Sequence, residues 1–478
     1  MLLPSWLRAA RVRRGLAVSA VVLSAGGLVL FRASAGGAAP LSPLLPLVNP
    51  AGGNVASFTG PGAHGSLALS HTRVLAGGER DLYAEVRVVA DRGRAEARAP
   101  LSLAVVLDTS GSMDGEKIED ARNSVVRLIR DMRDDDEIAV VRYSDSAEIV
   151  QSLARVGDVR ASLISKVRAL SAGGGTAIPR GLASGMAQLE AAGRGRVRRV
   201  VLVSDGLDST RSEAERLATQ SFERGVTVSS LGIGLDFDES YMSSLSRVGH
   251  GNFGFVKDSG ALATFLSREL NETASTTVEG AVVRIKLPSG VRFSRATGAD
   301  AREVGDNEVE LRVGSLFAGD ERRVVLELTA RVDAGDVRGF DTTATWTPIG
   351  GATYQTQLAR LNVTGSVDPR AVEDSRDPAV MASAISVLAS RRQLEAAEAY
   401  ARGDVGVAQG LIDKNMQDLK TAQSAAPAPI ATAMERQWAE YDSTKKAFAT
   451  AAPRSAAGNA AAKSAVEKDM NNLGRAAY

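Results

Sequence analysis

An apolar run that ends on a carboxylate leaves a chain few ways to fold. Residues 101–113 read LSLAVVLDTSGSM. Leu101 to Leu107 is apolar but for Ser102 and reads as a strand covered on both faces, as in a parallel sheet. Asp108, Ser110 and Ser112 then come at alternate positions of a turn. Oxygen ligands at i, i+2 and i+4 of such a turn can converge on a hard cation. The rest of the chain has to bury this strand and complete the ligand set.

The residues that follow alternate strand and helix. Gly115 to Arg133 sets Ile118, Ala121, Val125, Leu128, Ile129 and Met132 at helical spacing. Ile138 to Tyr143, Val197 to Ser204, Val226 to Ile233 and Phe253 to Val256 read as strands. Ser162 to Leu170, Ile178 to Ala192, Thr210 to Arg224, Ser240 to Val248 and Leu262 to Glu272 read as helices. The alternation predicts an α/β fold: a doubly wound, mostly parallel sheet with helices on both faces, and ligands at the carboxyl ends of its strands. Two more signals fall at those ends. Ser171 to Pro179 (SAGGGTAIP) is a glycine-rich loop with Thr176 as its only polar side chain after the glycines. Ser204 to Ser209 (SDGLDS) sets Asp205 directly past a strand. Asp108, Ser110, Ser112, Thr176 and Asp205 would together form an all-oxygen cluster at one edge of the sheet.

Composition excludes the main competing chemistries. The chain has no cysteine, which removes disulfides, thiolate catalysis and Cys-based metal sites. His64, His71 and His250 do not cluster at ligand spacing. A formal net charge of +1 gives no basic patch for nucleic acid. No GK[ST] follows Gly173 to Gly175, so that loop is not a phosphate cradle. Asp134-Asp135-Asp136 reads as a solvated turn, Asp236 and Asp238 as a helix start, and His250, between two glycines, as a loop residue.

The order DTSGS, a Gly-Thr loop, then SDG after a buried strand resembles the von Willebrand factor A domain. The metal-ion-dependent adhesion site of that family has the pattern D-x-S-x-S…T…D. The likeness covers Leu101 to about Thr273 and includes all five positions. It implies a Rossmann-like sheet. It also implies Mg²⁺ (or Mn²⁺ or Ca²⁺) held through the hydroxyls of Ser110, Ser112 and Thr176, with Asp108 and Asp205 acting directly or through water. Hydroxyls with only two carboxylates leave such an ion electron-poor and partly hydrated, so an open position favours a carboxylate from another molecule. The start of the helix after Gly115 adds positive potential. No general base is evident beyond the ligands themselves. The expectation is a non-enzymatic adhesion or scaffolding module whose partner is a protein presenting Asp or Glu. Two other classes use the same residues: an accessory subunit of a metal-dependent enzyme or AAA+ machine, and a structural envelope protein whose site is unused.

The flanks suggest further domains. In residues 1–35, Arg8, Arg11, Arg13 and Arg14 precede apolar Leu16 to Phe31 and an Ala33-Ser34-Ala35 cleavage pattern. This reads as an export signal or, uncleaved, as a membrane anchor; either places the bulk outside the cytoplasm, in the periplasm or at the cell surface. Residues 36–55 read as a Gly/Ala/Pro-rich linker. Residues 56–99 hold strands, and the period-two pattern of 274–366 reads as a β-sandwich. The earlier strands are expected to complete that sandwich, with the A-type domain (100–273) inserted. The arrangement is similar to bacterial A-domain proteins resembling calcium-activated chloride channel homologues and inter-α-trypsin-inhibitor heavy chains. Residues 367–478 read as helical. Ala379 to Arg402 and Val405 to Ala422 form a hairpin around Gly403-Asp404, and Ile430 to Phe448 turns Trp438 and Tyr441 inward. The Ala-rich tail from Ala451 is left open between disorder and a last helix near Ser464.

Overall fold

The computed structural model describes residues 23–24, 27–28, 53–92, 100–193, 195–205, 210–233, 237–256 and 259–474. The N-terminal signal or anchor reading and most of the 36–55 linker lie outside the described residues. Residues 1–48 are a unit of their own, in which β1 (Leu23–Ser24) and β2 (Gly27–Leu28) pair antiparallel. Among the described residues no helix is long and apolar enough to cross a membrane.

From Asn49 onward the chain starts a β-sandwich, interrupts it with an α/β domain, and returns to finish it. The first strands are β3 (Val55–Gly60), β4 (Ala63–Leu69), β5 (Arg73–Leu75) and β6 (Arg80–Ala90). The α/β domain opens with β7 (Leu101–Asp108), a 3₁₀ turn at Gly111–Met113 and α1 (Glu116–Asp131). It continues through β8 (Glu137–Tyr143), β9 (Ala147–Arg155), α2 (Val156–Arg168), α3 (Ile178–Leu189), β10 (Val197–Ser204) and α4 (Arg211–Glu223). It closes with β11 (Val226–Ile233), α5 (Glu239–Val248), β12 (His250–Val256) and α6 (Ser259–Ala274). The sandwich resumes with β13 (Thr276–Lys286), β14 (Val291–Thr297), β15 (Asp300–Val304), β16 (Glu308–Phe317) and β17 (Glu321–Ala330). It ends with β18 (Val337–Pro348), β19 (Tyr354–Gln357) and β20 (Leu361–Ser366). Five helices follow: α7 (Pro369–Asp374), α8 (Pro378–Arg402), α9 (Val405–Gln423), α10 (Ala428–Thr450) and α11 (Ala456–Gly474).

The central sheet has the order β12-β11-β10-β7-β8-β9, parallel throughout except for β9 at one edge. Period-two alternation along β7 divides its side chains between two cores. Leu101, Leu103, Val105 and Leu107 meet α1, α2 and α6 on one face. Ala104 and Val106 meet α3, α4 and α5 on the other. Burial on both faces is why the run needs no alternation in polarity. Helix α3 lies tight on β7 because residue 185 is glycine; a Cβ there would stand 2.4 Å from the Val106 side chain. The second core does not stop at the domain. It continues into the C-terminal helices through Ala382, Tyr400, Ile412, Met434, Tyr441 and Phe448.

The sandwich draws on the two segments that flank the α/β domain. One sheet runs β14-β17-β6-β4-β3; the other runs β15-β16-β13-β18-β20-β5, with β19 on β18. Strand β6 pairs with β17 and β5 with β20, so segments on either side of the α/β domain share one core. The α8–α9 hairpin turns at Gly403, whose φ of 104° is the left-handed value that glycine adopts without strain.

Several expectations need correction. Strand β9 fills the segment between the expected strand ending at Tyr143 and the expected helix from Ser162, and α2 starts at Val156, not Ser162. Asp136 is not solvated: it is buried and accepts the amides of Arg133 (2.9 Å) and Leu101 (3.4 Å), closing the turn before β8. His250 is not a loop residue. It opens β12 at φ 53° and stacks on Phe222 with ring centroids 3.6 Å apart. Burial, with Arg322 and Arg247 nearby, pushes its imidazole down to about 3, and its Nε2 finds no hydrogen-bond partner among the described residues. Of the two readings of the Ala-rich tail, the last helix near Ser464 holds: α11 covers Ala456–Gly474 and packs against α8, α5 and β12.

Candidate metal centre

The sheet adds β8 and β9 on one side of β7 and β10, β11 and β12 on the other, so its strand order reverses between the parallel β7 and β10, the place where an open α/β sheet offers a crevice beyond its carboxyl ends. Asp108 is the last residue of β7. It pairs with Tyr143 on one side, and the neighbouring Leu107 pairs with Val203 on the other, which brings Ser204 alongside. The Asp108 carboxylate is buried and accepts three hydrogen bonds: from the Ser110 amide (2.8 Å), the Ser204 hydroxyl (2.6 Å) and the Tyr143 hydroxyl (3.3 Å). Burial raises its pKa, while the bonds from Ser204 and Ser110 pull the other way. Burial beside this carboxylate pushes the Tyr143 hydroxyl well above the usual phenol range, so it stays a donor.

The turn that follows carries the two serines. Ser110 is buried and Ser112 exposed, and their hydroxyl oxygens stand 3.1 Å apart. Ser112 then donates to Asp205 Oδ1 at 2.7 Å, across 93 residues of sequence. The structure thus brings Asp108, Ser110, Ser112 and Asp205 into one hydrogen-bonded set.

The glycine-rich loop is fastened to the same turn by two backbone bonds: Gly173 N–H to the Thr109 carbonyl (2.8 Å), and Gly111 N–H to the Gly174 carbonyl (2.9 Å). Residue 174 has φ 85°, and a Cβ there would stand 2.6 Å from Asp145 Oδ2, so both backbone and space call for glycine. Thr176 follows two residues later, half-buried. Among the described residues its hydroxyl makes no hydrogen bond, so its loop, not its side chain, is joined to the set.

One member of the constellation was not legible as such in the sequence. Lys117, in the first turn of α1, donates its ammonium to Asp205 Oδ2. The available signal was a lysine near a helix N-terminus, where the helix dipole disfavours a cation unless an anion faces it. Asp238 caps α5 by accepting the Tyr241 amide at 3.0 Å; Asp236 lies outside the described residues.

The donor set fits a hard divalent cation: every polar atom but the Lys117 ammonium is an oxygen, drawn from two carboxylates and three hydroxyls. Among the described residues no group of three or more His, Asp or Glu side chains stands at metal-ligand spacing.

The sequence profile of the von Willebrand factor type A domain matches residues 102–268. The uncharacterized protein sll0103 of Synechocystis sp. is 28% identical over 279 residues, covering 55% of this chain and 65% of that protein. The uncharacterized protein YfbK of Escherichia coli is 26% identical over 270 residues, covering 52% and 45%. The chain thus spans less than two thirds of the length of either relative. Inter-alpha-trypsin inhibitor heavy chain H2 of Mus musculus is 28% identical over 169 residues, 32% of this chain and 17% of that one. Among solved structures, a von Willebrand factor type A protein from Catenulispora acidiphila superposes with a TM-score of 0.65 at 18% identity, covering 89% of this chain and 98% of that one. The ArnB paralog VWA2 from Sulfolobus acidocaldarius gives 0.56 at 14% identity, covering 86% and 98%. At these identities the structural likeness speaks to the fold.

Proposed function

Because residues 102–268 are a von Willebrand factor type A domain, we propose that this chain is a metal-dependent protein-binding module of the cell envelope. In this reading Ser110, Ser112 and Thr176 hold Mg²⁺ or Mn²⁺ through their hydroxyls, with Asp108 and Asp205 acting directly or through water. The bound ion supplies a Lewis-acidic position for an aspartate or glutamate of a partner protein. The observation that carries the reading is the unbroken line of hydrogen bonds from Ser204 through Asp108, Ser110 and Ser112 to Asp205. It gathers four of the five expected oxygen ligands at the carboxyl ends of the central strands, and the Thr176 loop is tied to the same turn.

Binding is favoured over catalysis by how the carboxylates are used. Asp108 already accepts three hydrogen bonds, and Asp205 accepts one on each oxygen. Neither stands free to take a proton from a nucleophile. The envelope assignment rests on the Arg-rich segment and apolar run before Ala33-Ser34-Ala35.

Calorimetric titration with Mn²⁺ is the direct test. The chelator-treated chain should bind one equivalent, and Ser110→Ala with Ser112→Ala should abolish binding while circular dichroism stays unchanged. Undiminished Mn²⁺ binding by that double variant would reject the ligand assignment.

A further inference from the structure

Lys117 sits where a cation has a reason to be absent. It lies in the first turn of α1, facing the positive end of the helix dipole, and it shares a carboxylate with the expected metal ligands. The Asp205 side chain is 0% exposed and that of Lys117 30% exposed. A buried carboxylate held by one neutral hydroxyl alone is costly, and Ser112 supplies only that. The Lys117 ammonium is what balances Asp205 in the metal-free protein.

The same ammonium becomes a like charge once a divalent ion arrives. With both carboxylates ionised, Asp108, Asp205 and Lys117 sum to one negative charge. A divalent ion takes that sum to one positive charge; without Lys117 the loaded centre would be neutral. We propose that Lys117 is the resident cation of this centre. It neutralises Asp205 before the metal binds, opposes the ion, and leaves the loaded site with a net positive charge that favours an anionic ligand. The sign does not depend on whether Lys117 is displaced from Asp205 or stays beside the ion, since both routes weaken metal binding. The proposal rests on the metal reading above and goes beyond it by assigning a role to a residue outside the D-x-S-x-S…T…D pattern.

The test uses the full chain, stripped with chelator, as wild type, Lys117→Met, Lys117→Gln and Lys117→Arg, with Mn²⁺ as the probe at low ionic strength. Met and Gln should each tighten Mn²⁺ binding by roughly three- to fivefold, about the effect of one charge pair with a partly exposed member. Arg should stay near wild type, and added salt should shrink the gap. Gln can still donate to Asp205, so it keeps the test alive if Met fails to fold. In thermal melts the neutral variants should be less stable than wild type in chelator, yet gain more from saturating Mn²⁺. Equal or weaker Mn²⁺ binding by both neutral variants, or the same loss of melting temperature with and without Mn²⁺, would overturn the proposal and leave Lys117 a structural ion pair. The Ser110→Ala, Ser112→Ala protein separates the two failures. If it loses Mn²⁺ binding while the Lys117 variants gain none, only the role of Lys117 falls. If it binds as well as wild type, the metal reading falls and takes this one with it.

Discussion

Replacing Asp469 by asparagine should make the C-terminal bundle more stable at neutral pH and flatten its response to pH. Asp469 lies on α11, buried, and accepts the Tyr441 hydroxyl at 2.8 Å. Tyr441 in turn meets Ser390 (3.2 Å) and Gln437 (2.8 Å). Burial raises the Asp469 carboxyl to about 8 against the opposing bonds from Tyr441 and Ser390. In the unfolded chain it titrates near the ordinary value of 3.8. Between those two values the native state holds a proton that the unfolded state has lost, so stability falls as pH rises. The contribution is fully present below about 4, declines by up to about 1.4 kcal/mol per pH unit, and is gone above about 8. From pH 5 to pH 7 the loss is at most about 3 kcal/mol on that slope. The substituted amide would be neutral at every pH and could still accept from Tyr441. The stability of Asp469→Asn minus that of wild type should therefore widen from pH 5 to pH 8 and level off beyond. Urea unfolding at stepped pH, followed by tryptophan emission, reads it, since Trp438 of α10 packs on the same core. The difference is the quantity to measure, because His250 slopes the other way. Its imidazole, pushed from 6.5 to about 3, makes both proteins gain stability as pH rises through that window. A difference that stays flat between pH 5 and pH 8, or narrows, would refute a neutral buried Asp469.

Two further substitutions probe how the site is held. Lys463→Met on α11 removes a buried ammonium that donates to the Phe237 carbonyl (2.7 Å) and lies 3.7 Å from the centre of the Phe237 ring. Losing this charge-assisted hydrogen bond should cost ~1–3 kcal/mol in urea unfolding and speed hydrogen exchange in α5; unchanged values would show that α11 does not brace this loop. Gly174→Ala meets both the left-handed backbone and Asp145, and should cost ~1–3 kcal/mol while weakening Mn²⁺ binding through the displaced Thr176 loop. Wild-type Mn²⁺ affinity in that variant would separate Thr176 from the centre.

What could be read from the sequence was what the backbone makes local. An apolar run buried on both faces, the alternate oxygens after it, and the Gly403-Asp404 break between α8 and α9 all act within a few residues. What could not be read was set by distant partners. Strand β9 is half-exposed, antiparallel and at an edge, so the apolar residues of AEIVQSLAR follow no clean period-two alternation. His250, flanked by glycines, takes its character from Phe222 on α4, 28 residues earlier, and from the irregular register at Gly314 on β16. Helix α11 looks like an Ala-rich tail, yet α8, α5 and β12 give it a surface on which to bury even a lysine.

Lys117 shows the limit most clearly, because its charge means opposite things at two scales. Read along α1, it is one more polar residue on an amphipathic helix whose apolar face covers β7. Read across the sheet, it is the counter-charge of a carboxylate 88 residues away. Only the side-by-side placement of β7 and β10 turns the first description into the second. The five oxygen positions can be recognised in order because each sits at a strand end or a tight turn. The charge that sets how strongly they hold an ion comes from a helix and has no such local signature. If that division is general to the edge, substitutions on α1 should tune metal affinity without changing which residues bind the metal. Substitutions at the strand ends should abolish binding outright.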